Sequence, residues 1–430
     1  MSGPRRLSTA DPGFEAAFAA LLAGREQAMP GVAEAVAAIL AAVRADGDAA
    51  VVRFTARFDR VELTPDRFAI GADEIAAAAA AVPADLLAAI DLAARRIEAF
   101  HRAQMPADLA IRDGAGVHLG LRWGPLDAVG IYVPGGKAAY PSSVLMNAVP
   151  ARVAGVARIA MCVPAPDGVL NPAVLAAAQR AGVAEIYRVG GAQAVAALAY
   201  GTATIAPVDR IVGPGNAYVA EAKRQVFGHV GIDSIAGPSE VLVIADATAR
   251  PDWVAIDLLA QAEHDESAQA VLVTPDPALA DAVAAAVERA LATLPRAAVA
   301  RASWRAHGAV IVVRDLAEAA DLANRLAPEH LELAVADPAP LFARIRHAGA
   351  VFLGHHAPEA VGDYVAGPNH VLPTGRTARF ASGLSVFDFL KRTTWVAADA
   401  SALAAIGPAA VRLAEAEGLG AHALSVAMRM

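Results

Sequence analysis

Cysteine is almost missing from this chain, which excludes two kinds of covalent or metal cross-link. Cys162 is the only cysteine among 430 residues, so neither an internal disulfide nor a cluster of thiolate metal ligands can form. It follows Met161 in an apolar stretch and precedes Val163-Pro164, a setting that favours a buried strand residue over a nucleophile. A chain without disulfides suits a reducing compartment, and we predict a cytoplasmic location.

The chain also lacks long apolar runs and an excess of basic charge. No uninterrupted apolar stretch reaches the about 18 residues that a membrane span needs, although 56% of the residues are hydrophobic, because much of that share is alanine. The 36 Lys and Arg against 44 Asp and Glu give a net charge of -8, which argues against a nucleic-acid-binding surface. Asp11 and Glu15 fall within the first candidate helix, which argues against a signal peptide. We therefore expect a soluble protein that binds neither membranes nor nucleic acid.

The order of apolar segments predicts an α/β fold with two Rossmann-like parallel-sheet domains. From residue 128 onward, short apolar strands alternate with helices, which is the pattern of parallel βαβ units. The strands are too many for one small sheet, so we predict two. The expected parts are a small N-terminal arm, 1–22; a large α/β domain, 23–131 and 239–384; a second Rossmann-like domain, 132–238; and a small helical C-terminal tail, 385–430.

Three predicted strand-to-helix turns in the second domain are rich in glycine. They are residues 133–137, 189–193 and 213–216. Glycine after a strand lets backbone N–H groups face a phosphate at a helix N-terminus. None of the turns matches G-x-G-x-x-G or a P-loop, so each alone is typical of an ordinary turn, whereas three together favour a nucleotide-binding lobe. Tyr132, Gln193 and Asn216 lie in or beside these turns, where they could contact a dinucleotide or simply cap helices.

Two predicted helix ends carry polar pairs. Gln261 and His264 follow the apolar helical run 254–260 and are three residues apart, so they share one helix face and can point at one ion. An imidazole beside an amide oxygen is half of a metal site, although a histidine also suits the negative end of a helix dipole. Glu417 and His422 flank a glycine-broken helix end near the C-terminus, which taken alone is an ordinary C-cap.

An acid and a base stand next to each other just before a predicted strand. Glu329 and His330 follow Pro328, and an apolar strand begins after them. Neighbouring residues of an extended chain point to opposite sides, so the two groups can serve two different protons. A carboxylate can activate water and an imidazole can accept a proton near neutral pH. The alternative is a solvated corner between helix and strand.

The loop-rich segment 355–384 holds further candidates. Residues 362–374 are dense in glycine, proline and polar side chains, as functional loops often are. Within them Asp363 is a candidate metal ligand and His370 a candidate substrate contact. The pair His355-His356 is a weaker candidate, because adjacent residues rarely converge on one ion.

Together these segments resemble one known family, the L-histidinol dehydrogenases, from about residue 25 to the end of the chain. The resemblance rests on motifs of considerable length in the same order. They are VGIYVPGG, VGGAQAVAALAYGT, GPGNAYVAEAK, AGPSE, AQAEHDESAQA, APEHLE, GDYVAGPNHVLPT, ARFASGLSV and EGLGAH.

The resemblance implies oxidation of L-histidinol through the aldehyde to L-histidine, with two NAD⁺ used for each L-histidinol and one Zn²⁺ bound per subunit. It also implies an intertwined homodimer whose tail completes the partner's active site, with residues 132–238 as the NAD-binding domain. The implied acid/base pair is Glu329 and His330, and the implied zinc ligands are Gln261, His264, Asp363 and His422. The implied substrate contacts are Ser239, Gln261, His264, His330, Asp363, His370, Glu417 and His422, and the implied NAD contacts are Tyr132, Gln193 and Asn216.

Three alternatives stay open from the residues themselves. The first is a dehydrogenase of the same fold acting on another alcohol, such as a small polyol or sulfonate; Ser239, His370 and Glu417 favour histidinol over it. The second is a zinc hydrolase in which Glu329 activates water, which would leave the three glycine turns without a role. The third is a catalytically silent binding protein, against which the full set of ionisable residues speaks.

Overall fold

A computed structural model describes residues 3–24, 31–135 and 140–430 of the chain. Gly136 and Lys137 of the first glycine turn lie outside these ranges. The strands are β1 (Arg5–Ser8), β2 (Leu109–Arg112), β3 (His118–Pro125), β4 (Ala128–Tyr132), β5 (Arg158–Cys162), β6 (Glu185–Tyr187), β7 (Arg210–Val212), β8 (Gly231–Ile232), β9 (Glu240–Ala245), β10 (Gln269–Thr274), β11 (Ala309–Val312), β12 (His330–Ala334), β13 (Ala350–Leu353) and β14 (Leu390–Ala397). The helices are α1 (Phe14–Ala23), α2 (Val32–Asp46), α3 (Asp48–Asp59), α4 (Ala72–Ala81), α5 (Ala84–Ala103), α6 (Pro141–Ala154), α7 (Pro172–Ala181), α8 (Gly191–Tyr200), α9 (Ala217–Val226), α10 (Pro251–Ala262), α11 (Pro277–Ala290), α12 (Ala297–His307), α13 (Leu316–Leu326), α14 (Pro338–Phe342), α15 (Glu359–Tyr364), α16 (Ala400–Ala416) and α17 (Gly420–Ala427).

The first sheet is parallel and has the order β1-β11-β10-β9-β12-β13. Its central strands β9, β10 and β12 are buried along their whole length, as expected for a parallel sheet covered on both faces. Alternate residues of these strands face two separate cores: Val241 and Val243 lie in one, and Leu242 and Ile244 in the other. The short apolar runs of the sequence therefore form the centre of this layer.

The second sheet is also parallel and has the order β6-β5-β4-β7-β8. Numbered along the chain, this is the 3-2-1-4-5 order of a Rossmann sheet, so the predicted fold class with two Rossmann-like parallel sheets is confirmed. Side chains alternate between its two faces, with Met161 in one core and Cys162 in the other. Cys162 is fully buried, and burial raises the pKa of its thiol to about 12, which agrees with the predicted strand residue and not with a nucleophile.

The helices between residues 32 and 103 pack on the second sheet. α2 and α3 share a core with α8, whereas α5 shares the opposite core with α6. This packing contradicts the predicted grouping of residues 23–131 with 239–384. Amphipathic periodicity reveals that a helix has a buried face, but it does not reveal which sheet covers that face.

Both ends of the chain take part in sheets. β1 pairs in parallel with β11, and α1 buries Phe14 and Phe18 in the core of the first sheet, so residues 5–23 extend that layer and do not form a separate arm. The predicted tail is not helical throughout, because β14 pairs antiparallel with β3 before α16 and α17 begin. Strands at sheet edges depend on their partners more than on local pattern, which explains why both were missed. Among the described residues, no single helix is long and apolar enough to cross a membrane, and α4 and α5 pass that test only when joined across a 113° bend.

Candidate active site

The amino-terminal edge of the first sheet gathers several ionisable side chains. His330 opens β12 and pairs in register with Val241 of β9 and Ala350 of β13. Gln261 lies in the last turn of α10, and His264 follows just beyond the helix. In a parallel α/β layer each helix returns the chain to the edge where the next strand begins, so the helix end and the strand start meet there.

The His330 ring is buried, and its two nitrogens have different surroundings. Nδ1 lies 3.1 Å from the backbone oxygen of Glu240 and 3.3 Å from Oε1 of Glu359. Nε2 lies 3.5 Å from Oδ1 of Asp363. Acceptors at Nδ1 favour a proton there in the neutral ring, which leaves Nε2 to accept another. Burial by itself would lower the pKa of this imidazole, but nearby carboxylates, first Glu359 and then Glu329, raise it well above its ordinary value.

Glu329 is a buried carboxyl that titrates near neutral pH. Its Oε2 accepts a hydrogen bond of 2.9 Å from the backbone N–H of Glu240 and lies 3.7 Å from Nδ1 of His330. Burial raises its pKa to about 7, although the charge of His330 opposes that shift. A carboxyl with a pKa near the working pH is suited to general base catalysis.

The structure adds three carboxyl groups behind His330 that the sequence prediction did not single out. Glu359 opens α15, and burial raises its pKa to about 8. Its backbone N–H donates to Oε1 of Glu332 over 2.6 Å. Glu332 in turn interacts with Asp257 of α10; burial raises the pKa of Glu332 well above its ordinary range and that of Asp257 to about 6. Two spacings in the sequence could have indicated these residues. Glu332 is two residues after His330 and so on the same face of the strand, and Glu359 is four residues before Asp363 on a helix.

We expect Glu332→Gln to stabilise the fold at pH 8 and to leave its stability at pH 5 nearly unchanged. A buried carboxyl with a raised pKa holds its proton more tightly in the folded than in the unfolded chain, so the wild type loses stability as pH rises above the ordinary value of 4.5. Glutamine stays neutral, can still accept from Glu359 and can donate to Asp257. The expected result is a gain at pH 8 that is much smaller at pH 5, measured by urea denaturation at both pH values. The exposed Glu62→Gln serves as control, and an equal gain at both pH values would contradict this assignment.

Of the predicted metal ligands, Asp363 and His264 interact with His330, and Gln261 lies at the end of the adjoining helix. Gln261 is fully buried, and neither its amide oxygen nor its amide nitrogen has a hydrogen-bond partner among the described residues. Burial would raise the pKa of Asp363, but the hydrogen bond from His330 and the charges of His370 and His264 hold it below its ordinary value. His264 is exposed, and Nδ1 of His370 lies 2.9 Å from the backbone oxygen of Asp363. His264, Asp363 and His370 all interact electrostatically with His330, so they lie around the acid/base pair. Gln261 is three residues before His264 in the last turn of α10.

A second possible cation site overlaps this group. Ligand atoms of His330, Glu359 and Asp363 all lie within 4.8 Å of one another. Only Asp363 belongs also to the predicted zinc set. The pair His355-His356 does not converge on one point. Nε2 of His355 lies 3.0 Å from Thr248 Oγ1, whereas the His356 ring packs edge-on against Trp253.

The remaining predicted substrate and metal residues divide into two places. Ser239 immediately precedes β9 and is half-buried, at the same edge of the sheet at which His330 opens β12. Glu417 and His422 are exposed on the C-terminal helices, where they line a groove of ≈ 620 Å³ together with Leu413 and Ser425. No hydrogen bond or ion pair within the described part of the chain links Glu417 or His422 to the acid/base pair. Within a single chain, these tail residues and the acid/base pair therefore form separate groups.

The three predicted NAD contacts lie at the carboxyl edge of the second sheet. Tyr132 ends β4, and its hydroxyl accepts a hydrogen bond of 3.1 Å from the backbone N–H of Gly191. Gln193 is fully buried in α8, and both polar atoms of its side chain lack partners among the residues described. Asn216 caps α9 by accepting from two backbone N–H groups over 3.0 and 3.2 Å. This is the edge at which open α/β sheets bind ligands.

Comparison with known proteins identifies the family. A family model described as histidinol dehydrogenase matches residues 23–430. Histidinol dehydrogenase from Gluconobacter oxydans (strain 621H) is 67% identical over 99% of both chains, and that from Cereibacter sphaeroides is 64% identical over 99% of this chain and 98% of its own. The crystal structure of histidinol dehydrogenase from Elizabethkingia anophelis superposes with a TM-score of 0.95 at 37% identity, covering 100% of this chain and 98% of that one. The chain belongs to the histidinol dehydrogenase family.

Proposed function

We propose that this chain oxidises L-histidinol through L-histidinaldehyde to L-histidine as a cytoplasmic enzyme of histidine biosynthesis. It uses two NAD⁺ for each L-histidinol and holds one Zn²⁺ per subunit. The observation that carries the proposal is the buried imidazole of His330, which has acceptors at Nδ1, Asp363 beside Nε2 and the carboxyl of Glu329 next to it. Family membership over residues 23–430 supports the substrate.

The side chains around Gln261 fit a zinc ion. Burying an amide without hydrogen bonds costs free energy, and a ligand to the oxygen of Gln261 would offset that cost. Gln261, His264 and Asp363 would hold the ion, with His422 of the partner subunit completing a set of nitrogen and oxygen donors that suits zinc. We favour this set over His330, Glu359 and Asp363, because the latter would occupy the imidazole needed as base. When bound, zinc would act as a Lewis acid that holds and orients the amine and imidazole of histidinol.

The carboxyl edge of the second sheet fits a dinucleotide in the same way. Gln193 has a buried amide without partners among the described residues, and Tyr132 and Asn216 lie at the same edge of the sheet. When bound, NAD⁺ would accept the hydride from the substrate carbon. The glycine turns do not form the G-x-G-x-x-G pattern, which agrees with a loosely held cofactor that exchanges while the aldehyde stays bound.

The acid/base pair divides the proton transfers between two residues. His330 accepts the proton of the alcohol as the hydride leaves, which gives the aldehyde. Glu329 then deprotonates a water that adds to the aldehyde, and His330 accepts the proton of the hydrate during the second oxidation. The nearby carboxylates raise the pKa of His330. The positive charge of a cation held by Asp363 would lower that pKa again and so favour the neutral imidazole that can accept a proton.

The direct test is an assay of the purified protein with L-histidinol and NAD⁺. We expect NADH absorbance to rise and L-histidine to accumulate, as followed by chromatography. A small polyol or sulfonate alcohol serves as comparison substrate. NADH formed only from such an alcohol would contradict the substrate, and ester or amide cleavage without NAD⁺ would contradict the reaction class.

Replacing Gln261 with Met should weaken zinc binding by roughly tenfold or more, since loss of even an outer partner of a ligand costs about 10–100-fold. Methionine fills the buried volume without the amide oxygen. Zinc content after dialysis against a chelator, measured by elemental analysis, checks the result. Gln179→Met on the exposed face of α7 is the matched control. Equal zinc retention in both variants would contradict the ligand assignment.

Mixing two inactive variants tests whether the tail serves a second subunit. A His422→Ala chain keeps the acid/base pair, and a His330→Asn chain keeps the tail, so one site of each mixed dimer would be complete. Random exchange should restore roughly a quarter of wild-type activity, because half of the dimers are mixed and half of their sites are intact. Subunit exchange is confirmed by native mass spectrometry. Absence of any recovery despite exchange would count against sharing.

A further inference from the structure

The second sheet has a Rossmann strand order but no acid directly after its second strand. In sheets of this order an Asp or Glu at the end of the second strand binds the 2′-hydroxyl of the adenosine ribose of NAD. Here the second strand is β5, and Val163-Pro164-Ala165 follow it. Asp167, a little further on, is exposed and paired with Arg60 through two hydrogen bonds. The expected carboxylate must come from elsewhere.

Asp59 places a carboxyl group at this position from a different element. It is the last residue of α3, which packs against the turn Pro166–Gly168 after β5. Asp59 accepts a hydrogen bond from the backbone N–H of Ala165 and is 7% exposed. Its Oδ2 has no hydrogen-bond partner among the described residues. A buried carboxylate oxygen without a partner costs free energy, and a ligand hydroxyl would supply the missing donor.

The proposed NAD contacts lie on the same edge as Asp59. Burial first, and then the charge of Asp59, raise the pKa of the Tyr132 hydroxyl, so the carboxyl is close to that ring. Tyr132 in turn accepts the hydrogen bond from Gly191. A Cβ at Gly191 would lie 2.7 Å from Oε1 of Gln193, so the amide of Gln193 lies close to the residue that donates to Tyr132. Asp59 and Gln193 are thus two buried polar groups near Tyr132 that lack full partners among the described residues.

We infer that Asp59 binds the 2′-hydroxyl of the adenosine ribose of NAD and thereby selects NAD over NADP. This rests on the proposed NAD-linked function and adds a residue and a specificity to it. A carboxylate accepts a hydrogen bond from the hydroxyl but repels the 2′-phosphate of NADP. Arg60, the neighbouring cation, is held by Asp167 and does not offer a free charge to that phosphate.

Calorimetric titration of the full-length protein with NAD⁺, NADP⁺ and NAD⁺ lacking the adenosine 2′-hydroxyl tests this inference. For the wild type we expect loss of the hydroxyl to weaken binding roughly tenfold or more, and NADP⁺ to bind more weakly still. Asp59→Asn should weaken NAD⁺ binding and abolish most of the difference in affinity between NAD⁺ and the deoxy compound. It should also reduce the difference in affinity between NAD⁺ and NADP⁺. Asp66→Asn, an exposed residue of the same region, should leave all three affinities unchanged.

The deoxy comparison on the wild type does not depend on how the variant folds. Equal binding of NAD⁺ and the deoxy compound by the wild type would overturn the role of Asp59 and leave the proposed function intact. Absence of any NAD⁺ binding by the wild type would overturn the proposed function together with this inference. Thermal unfolding of Asp59→Asn establishes that its affinities refer to folded protein.

Discussion

The variant His330→Asn should lose the first oxidation almost completely. Proton transfer by a positioned base contributes roughly 10²–10⁴-fold to a rate, and asparagine has no nitrogen that can accept the proton. Its amide can still donate to the backbone oxygen of Glu240, which lies 3.1 Å from Nδ1 of His330. Stopped-flow NADH absorbance with L-histidinol measures the effect, and calorimetry checks that substrate still binds.

His118→Asn is the matched control, because His118 is exposed on β3 and takes no part in the proposed chemistry. Its first NADH burst should equal that of the wild type. A His330→Asn enzyme that kept more than a tenth of the wild-type rate would remove His330 from the role of base.

The variant Glu329→Gln should spare the first oxidation and block the second by about 10²-fold or more. Glutamine can still accept from the backbone N–H of Glu240, as Oε2 of Glu329 does over 2.9 Å, but it cannot deprotonate water. We therefore expect one NADH equivalent in the first turnover and almost none from added L-histidinaldehyde. Activity on the aldehyde should follow a group with a pKa of about 7 in the wild type and fall as pH drops below it.

Two outcomes decide this division of roles. The exposed Glu62→Gln should behave as wild type in both steps. If Glu329→Gln failed in the first oxidation, as His330→Asn is expected to, the two residues would not serve separate protons and the proposed order would be wrong.

Local pattern was sufficient for the parts of the fold whose burial is complete. The strands β9, β10 and β12 are buried along their length, and strands of this kind are visible in sequence because most of their residues are apolar. The position of His330 at the start of β12 followed from the same pattern. Three-residue spacing likewise placed Gln261 and His264 at one helix end.

Local sequence pattern does not predict which distant segments of the chain pair with each other. β1 and β14 are edge strands whose register is set by β11 and β3, and the helices of residues 32–103 carry apolar faces that match either sheet. Asp59 was missed for the same reason, since it becomes distinctive only where another element buries it. For Glu359 the sequence offered only its four-residue spacing to Asp363. Glu417 and His422 lie on an exposed groove, and their place in the site remains a prediction about a second subunit.

The central claim is that one site carries out two successive oxidations, and the amount of NADH formed per substrate tests it most directly. A limiting amount of L-histidinol is incubated to completion with excess NAD⁺, and NADH, L-histidine and free aldehyde are quantified. We predict two NADH and one L-histidine for each L-histidinol consumed, without released aldehyde. One NADH with accumulating L-histidinaldehyde, or no NADH at all, would contradict the claim.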